Sequence, residues 1–167
     1  LPFVFFTVPD ELAYVFSTTI LVSEKSNAND NIASIIEENV PLTLDDAVFD
    51  FVPIKVVRSD VEYSASVVVA ACVKQEVEKF IQVFRKAEFE PIGCIHESQA
   101  ITNALTSKNS SGTLCIVHAR GTRIGIYLVK DNLVIFSTLR SVLEEDYKKQ
   151  FLDEYDKFLE YCMKYAT

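Results

Sequence analysis

The feature that most constrains the fold is a repeated change in the spacing of apolar residues along the chain. Residues 63–72 (YSASVVVAAC) are rich in β-branched side chains, which predicts a strand at the centre of a sheet. The apolar residues that follow have helical spacing with charged residues between them, which predicts an amphipathic helix. They are Val73, Val77, Phe80, Ile81 and Phe84. Because strands and helices bury their apolar faces against each other, this pattern predicts a mixed α/β or α+β fold.

The same spacing rules, applied along the whole chain, predict the order β-β-α-β-β-α-β-α, a linker, then β-β-β-α. The predicted strands are residues 3–8, 15–22, 47–57, 63–72, 91–96, 114–117, 124–129 and 133–139, and the linker is 106–112. We expect the first two strands to pair with each other through a tight connection. We also expect Phe80 and Phe84 to pack against residues 67–71, because only that face of their helix is apolar.

Local signals mark where several of these elements begin and end. Pro41 stops the first predicted helix, and Pro53 marks its strand as an edge strand or as the site of a bulge. Residues 130–132 (KDN) predict the turn of a hairpin. Residues 141–144 (SVLE) form an S-x-x-E capping box, so we expect the last helix to begin at Ser141.

Composition excludes several classes of protein. With 49% hydrophobic and 24% charged residues, the chain has the composition of a folded domain rather than of a disordered one. No apolar run approaches the roughly 18–20 residues that a membrane-spanning helix requires. The net charge of -8 and the lack of a basic patch argue against nucleic acid as a partner. Because the chain begins with Leu1 rather than Met, we expect it to be a piece of something longer.

Four cysteines lie far apart in apolar surroundings, and no two of them form a C-x-x-C pair. They are Cys72, Cys94, Cys115 and Cys162. We expect buried free thiols, typical of a reducing compartment, rather than disulfides. A zinc site is the alternative, because Cys94, His96, Cys115 and His118 offer two thiols and two imidazoles. In a strand, residues 115 and 118 would point to opposite faces, so we expect no metal.

The residue types and spacings do not by themselves assemble an active site. The G-x-S-x-G nucleophile elbow and the lysine-bearing phosphate loop are absent from the sequence. His96 and His118 are the chain's two imidazoles, the groups that act as bases beside a nucleophilic Ser or Cys. Asp45 and Asp46 are interpreted as part of a solvated turn rather than as a pair of catalytic carboxylates. We therefore expect no catalytic residues.

Three stretches, in order, resemble the actin-like ATPases of the type IV pilus protein PilM and the cell-division protein FtsA. Residues 34–54 resemble a PilM helix that runs into an E-x-x-I-P-F-x-L-x-x-x-V-x-D turn and strand. The matching positions are Glu38, Val40, Pro41, Leu44 and Asp50. Residues 66–105 resemble the family's V-x-V-A-A strand, helix, P-x-x-I strand and E-x-x-A helix, with Glu97 and Ala100 in the last motif. Residues 113–139 resemble the strand and hairpin that open the second actin-like lobe.

The resemblance implies an actin-like, ribonuclease H-like fold built from two lobes. Residues 1–107 would form the first lobe, with a small subdomain inserted at residues 16–61. Residues 113–167 would form a partial second lobe, made of a β-hairpin and one long C-terminal helix. The likeness extends over nearly the whole chain. Because the family's first phosphate loop and adenosine-binding segment are not evident in it, the resemblance predicts a truncated or degenerate relative rather than a complete ATPase.

The chain departs from these ATPases where their second lobe contacts phosphate. There the family has a strand ending in Asp-(Ile/Leu)-Gly, followed shortly by Thr. This chain has His118, Ala119 and Arg120, followed by Gly121 and Thr122. The carboxylate that handles metal and water is missing, and an arginine replaces the glycine that lets backbone approach phosphate. We therefore expect a degenerate phosphate loop, with neither ATP nor magnesium as a cofactor and with no hydrolysis.

The resemblance then implies a scaffold rather than an enzyme. In the family, the inserted subdomain mediates contacts between proteins, and its exposed sheet edge is able to take an extended peptide by strand addition. We expect a non-catalytic module of a type IV pilus or related envelope-assembly platform, located in the cytoplasm or peripherally at the inner face of the membrane. Its expected partners are proteins, among them a peptide of a membrane-anchored assembly protein, and the homo-oligomeric state stays open.

Two alternatives stay open at this point. One is a working nucleotide-binding ATPase whose missing elements lie outside these residues. In that case the upstream sequence would carry a strand ending in Asp-x-Gly, followed by Ser or Thr and by Lys. The other is an unrelated α+β binding module, which a structure without two related actin-like lobes would favour.

Overall fold

The structure is a computed structural model that describes residues 1–22, 27–58, 63–107, 111–141 and 147–165. Its strands are β1 (Phe3–Val8), β2 (Ala13–Val22), β3 (Ala47–Arg58), β4 (Tyr63–Val73), β5 (Glu90–His96), β6 (Thr113–Arg120), β7 (Arg123–Lys130) and β8 (Leu133–Ser141). Its helices are α1 (Ala28–Asn39), α2 (Lys74–Lys86), α3 (Glu97–Leu105) and α4 (Tyr147–Tyr165). Short 3-10 turns at Asp10–Leu12 and Leu44–Asp46 precede β2 and β3. The predicted order of strands and helices and the mixed α+β class are confirmed.

The chain divides into two compact units, Leu1–Ala100 and Ile101–Thr167, and the division falls within α3. In the described ranges the strands form three sheets. The first unit contains a parallel pair, β1 with β5, and an antiparallel sheet in the order β2-β4-β3. The second unit contains an antiparallel sheet in the order β6-β7-β8.

The expected pairing of the first two strands is wrong. β1 pairs in parallel with β5, with Val8 opposite His96, whereas β2 pairs antiparallel with β4. The turn at Asp10–Leu12 leads the chain out of the first sheet, and β5 reaches β1 by way of the crossover through α2. Parallel neighbours need such a crossover, so a short connection between consecutive strands does not guarantee that they pair.

The sheet β2–β4–β3 carries α1 on one face and forms the core of a small subdomain. β4 is its central strand, as predicted, and β3 is an edge strand whose register shifts between Pro53 and Lys55, as the proline predicted. The buried residues that hold α1 to the sheet are Ile20, Val22, Ile32, Ile36, Val40, Ala65, Val67, Val69 and Ala71. The Asn27 side chain caps α1 by accepting a hydrogen bond from the Asp30 amide at 3.1 Å, and the helix ends before Pro41, as predicted.

A second buried cluster holds α2 to β1. Its members are Phe6, Val8, Cys72 and Val77, and the Phe6 ring lies 5.9 Å from that of Phe80 and 5.2 Å from that of Phe84. The expected packing of these two phenylalanines against residues 67–71 is therefore wrong, and both are partly rather than fully buried. The reason is that Val67, Val69 and Ala71 of β4 face α1.

In the second unit, β6, β7 and β8 form a meander beside α4. The predicted hairpin turn is confirmed: Asp131 and Asn132 have φ values of 50° and 66°, which these two residue types tolerate well. β8 ends at Ser141, which the capping box places just before the first helical residue, and the described part of α4 begins at Tyr147. The remainder of the capping box lies outside the described residues. Phe136 of β8 and Phe158 of α4 pack with their ring centroids 6.3 Å apart.

Candidate partner-binding surface

The first candidate surface is the edge strand β3, which exposes a row of aliphatic side chains. Between 40% and 53% of the surface of each is accessible, and they are Val48, Val52, Ile54, Val56 and Val57. Isolated exposed aliphatic residues are ordinary, but five along one edge strand make that strand a candidate for contact with another molecule. We define these five residues as the β3 surface.

A bulge at the centre of β3 changes which of its residues share a face. Val52 lies opposite Val68, whereas Lys55 lies opposite Ser66, so Ile54 is the additional residue. Side chains alternate between the faces of a strand, and one extra residue exchanges the two alternating sets. Beyond the bulge, Lys55 and Val57 therefore share the face of Val52, whereas Val56 lies on the face that carries α1.

Charge is distributed unevenly along β3. Asp50 is exposed in the first half of the strand, where its side chain accepts a hydrogen bond from the Phe51 amide at 2.8 Å. Lys55 and Arg58 are exposed in the second half. In a chain with a net charge of -8, the second half of β3 is thus a local cationic and apolar surface.

The positions that match the family motifs lie on three different elements. Glu38 is exposed near the end of α1, Pro41 is exposed just after it, and Asp50 is on β3. Glu97 is the first residue of α3, and Ala100 lies one turn further along that helix. The first three belong to the subdomain that carries the β3 surface, whereas Glu97 and Ala100 belong to α3.

The predicted degenerate phosphate loop forms a strand end and a turn. His118, Ala119 and Arg120 are the last residues of β6, and Gly121 and Thr122 connect β6 to β7. Gly121 has a φ of 57°, and nothing lies within 4 Å of the position that a Cβ atom would occupy there. The positive φ of the turn is a conformation that glycine adopts readily, and no other described part of the chain approaches this position.

The loop does not fit magnesium-bound ATP. Its side chains are an imidazole, a guanidinium and a hydroxyl, with no carboxylate oxygen of the kind that magnesium prefers. Arg120 is paired across the hairpin with Arg123. Two guanidinium groups beside the turn can attract an anion, but they cannot coordinate a cation.

A buried polar network, which the sequence did not indicate, joins the turn after β1 to the start of α3. Asp10, His96 and Ser98 are each at most 8% exposed. Asp10 Oδ1 accepts hydrogen bonds from the Ser98 amide at 3.1 Å and from the Ser98 hydroxyl at 3.0 Å. His96 Nδ1 lies 2.8 Å from the same hydroxyl and accepts a bond from the Gln99 amide at 3.3 Å. These side chains thus bind two backbone donors of the first turn of α3.

Burial keeps His96 in its neutral form near neutral pH. Burial lowers the pKa of His96 from the ordinary 6.5 to about 4. Asp10 Oδ1, at 3.8 Å from Nδ1, favours the charged form, but the Gln99 amide needs Nδ1 as an acceptor and therefore favours the neutral one. The hydrogen bonds of these buried groups connect the turn after β1 to the first turn of α3.

The cysteines lie in different surroundings. Cys72, Cys94 and Cys115 are free thiols, but only Cys72 is buried, so the expected burial is wrong for the other two. Cys115 precedes the buried Ile116 on β6 and so faces the opposite, exposed side of its strand. Burial raises the pKa of Cys72 to about 11 and also raises that of Cys94. In the part of the chain that the structure describes, no three His, Cys, Asp or Glu residues are grouped to hold a metal ion.

A cavity of about 140 Å³ lies in the second unit. Its lining combines an apolar part with polar and charged groups: Ile124, Ile126, Thr138, Arg140, Ser141, Gln150, Phe151, Asp153 and Lys157. None of the residues of the 118–122 loop or of the other motif positions is among them. One lining residue, Ile124, lies opposite Ala119 of that loop in the sheet.

Comparison with known proteins identifies a fold but no family. No protein-family model and no curated protein sequence matches the chain. Among solved structures, the chain is similar to a chain of a "PilM-PilN type IV pilus biogenesis complex", with a TM-score of 0.58 and 14% sequence identity. The match covers 86% of this chain and 44% of that chain, so this chain spans less than half of the length of its structural neighbour. At this identity the likeness establishes a PilM-like mixed α+β fold. Of the described helices, none is long and apolar enough to cross a membrane.

Proposed function

We propose that the chain is a non-catalytic interaction module of a type IV pilus or related envelope-assembly platform. In this role it works on the cytoplasmic side of the membrane and binds partner proteins through the subdomain formed by β2, α1, β3 and β4. The observation that carries the proposal is the β3 surface. It lies on a fold that resembles a chain of the PilM-PilN type IV pilus biogenesis complex.

The surface suits an extended segment of a partner. Its exposed aliphatic side chains offer apolar contacts along an edge strand to an extended segment of another protein. Pro53 has no N–H to donate, so main-chain pairing is interrupted at the centre of β3, and side-chain packing contributes most of the contact. Lys55 and Arg58 favour a partner with acidic residues beside its apolar ones. We therefore propose a peptide of a membrane-anchored assembly protein with that composition.

The 118–122 loop supports the absence of catalysis in this proposal. A loop that performs phosphoryl transfer must position magnesium and water, and this one provides a histidine, one arginine and no carboxylate. The same segment is compatible with a structural role as a hairpin turn, for which Gly121 has the required backbone conformation.

If partners bind at the β3 surface, a charge introduced there should weaken their binding. Peptides from the cytoplasmic ends of the organism's membrane-anchored pilus or secretion proteins would be titrated into the chain by calorimetry. We expect at least one to bind, and we expect Val52→Lys to weaken its affinity about tenfold or more, because a charge placed at a buried apolar contact costs more than 1.4 kcal/mol. Val117→Lys makes the same change at an equally exposed valine of β6 and should leave binding unchanged. Binding that survives Val52→Lys, or that is lost equally in Val117→Lys, would place the site elsewhere.

A further inference from the structure

The two edge strands of the sheet β2–β4–β3 differ in how well they are protected against pairing with another strand. β3 has the features that natural edge strands use to prevent pairing: a proline, a bulge and an exposed lysine. β2 has none of them. Its sequence, AYVFSTTILV, contains no charge and no proline, and its register with β4 is unbroken over ten residue pairs. Within the described ranges β2 pairs with β4 alone, so its outer edge is a template for another strand.

The sequence of β2 is complementary to itself when two copies run antiparallel with Thr18 at the centre. Ser17 then lies opposite Thr19, Phe16 opposite Ile20, and Thr18 opposite its own copy. Hydroxyl groups meet hydroxyl groups and apolar groups meet apolar groups, and both kinds of cross-strand pair are stabilising. If the centre moves to Ser17 or to Thr19, Thr18 lies opposite Phe16 or Ile20 and the match is lost.

The faces of the sheet agree with this register. Residues directly opposite each other in an antiparallel pair share a face. Ile20 is in the buried cluster under α1 and Phe16 packs against that cluster, so both remain on the α1 face, while Ser17 and Thr19 are exposed on the other face. The two copies would form one sheet of six strands, with both α1 helices on the same side.

Charge and hydrogen bonding define the extent of the new ladder. Each copy has a net charge of -8, and an uncharged strand is the kind of edge at which two such copies meet without placing like charges opposite each other. The carbonyl oxygen of Leu21 already accepts a hydrogen bond from Asn31 Nδ2 at 2.5 Å. The ladder is therefore centred on residues 16–20.

We propose that the occupant of the β2 edge is β2 of a second copy of this chain, paired antiparallel about Thr18. This interaction goes beyond the proposed partner binding, because it uses the opposite edge of the sheet and leaves the β3 surface exposed. A scaffold built in this way presents two β3 surfaces, one on each outer edge of the shared sheet.

Sedimentation velocity of the full chain over a range of concentrations tests the proposal. We expect a monomer–dimer equilibrium for the unaltered chain and monomer alone for Thr19→Lys, because lysine is the residue that natural edges use against pairing. Val52→Lys adds the same charge to the opposite edge and should dimerise like the unaltered chain. A chain that is monomeric at every concentration, or a Thr19→Lys variant that dimerises normally, would overturn the proposal. Loss of peptide binding in Val52→Lys with dimerisation intact would show that the two interactions are separate.

Cross-linking tests the register independently. In a chain whose Cys94, Cys115 and Cys162 are replaced by serine, Thr18→Cys should form a covalent dimer on oxidation, because the two copies of residue 18 face each other directly. Ser17→Cys should not, because its two copies are displaced along the strands beyond the roughly 7 Å Cα separation that a disulfide spans. A dimer that cross-links through residue 17 and not through residue 18 would overturn the register. Circular dichroism of each variant confirms that it is folded.

Discussion

Phe6→Ala is expected to lower the free energy of unfolding by about 3–5 kcal/mol, the usual cost of emptying a buried phenylalanine site. Phe6 is 7% exposed and is the centre of the cluster that holds α2 to β1, since both Phe80 and Phe84 pack against its ring. Its removal leaves a cavity that the two partners, anchored on one helix, cannot fill without moving that helix. Chemical denaturation of the variant and of the unaltered chain measures the difference.

Two control variants show whether the loss of stability comes from this cluster or from shortening any side chain on α2. Phe84→Ala removes one of the two ring contacts from a partly buried site and should cost less than Phe6→Ala. Val83→Ala changes a side chain that is 62% exposed on the same helix and should change the free energy of unfolding by no more than about 0.5 kcal/mol. If Phe6→Ala were as mild as Val83→Ala, the packing of α2 against β1 would be wrong.

Stability should fall as the pH is lowered from about 6.5 to about 4, because of His96. In the unfolded chain this histidine takes up a proton near its ordinary pKa of 6.5, whereas in the folded chain burial lowers the pKa to about 4. Between those values the unfolded state binds the proton and the folded state does not, so the folded state is progressively disfavoured. The resulting loss in the free energy of unfolding amounts to about 3 kcal/mol once the pH has fallen below both pKa values, and there is no loss above pH 6.5.

A comparison of two variants separates the contribution of His96 to the pH dependence of stability from the contributions of the carboxylates. His96→Asn keeps an acceptor for the Gln99 amide but has no proton to gain, so its stability should depend less on pH between 4 and 6.5 than that of the unaltered chain. His118→Asn removes the chain's other imidazole and should retain the full dependence. Parallel pH profiles for His96→Asn and the unaltered chain would contradict the buried network.

Local sequence signals predicted the elements well because hydrophobic period and turn chemistry act over a few residues. The run 63–72 became the central strand β4, Pro53 marks both an edge and a bulge, and Asp131 and Asn132 form the hairpin turn. Each of these outcomes depends on residues that are adjacent in sequence. The β-branched run fits a strand buried on both faces, the proline lacks an N–H, and the turn residues tolerate a positive φ.

The pairing of distant strands was not predicted, because the pattern of apolar residues within a short segment does not indicate which other strand it pairs with. β1 joins β5 across more than 80 residues, and that pairing alone brings Asp10 beside His96 and Ser98. The carboxyl ends of parallel neighbours meet at one edge of a sheet, so the network would have been predictable once the parallel pair was known. The same limit explains the wrong partner of Phe80 and Phe84, since the face of β4 they were expected to cover belongs to α1.

The candidate surface was predictable only in outline. The resemblance indicated a subdomain with an exposed sheet edge, but which edge is protected depends on the strand order β2-β4-β3. Once that order is known, Pro53 and Lys55 distinguish β3 from the uncharged β2. The loop at residues 118–122 was singled out by a departure from a family motif, and the structure places it at the end of β6 and in the turn that follows.

Calorimetric titration of ATP with magnesium into the chain tests the central claim that this PilM-like fold serves interaction and not nucleotide chemistry. The account predicts no heat beyond dilution and no magnesium-dependent release of phosphate, because the loop from His118 to Thr122 has no carboxylate to organise the metal. Micromolar binding that requires magnesium, accompanied by hydrolysis that His118→Ala abolishes, would contradict it.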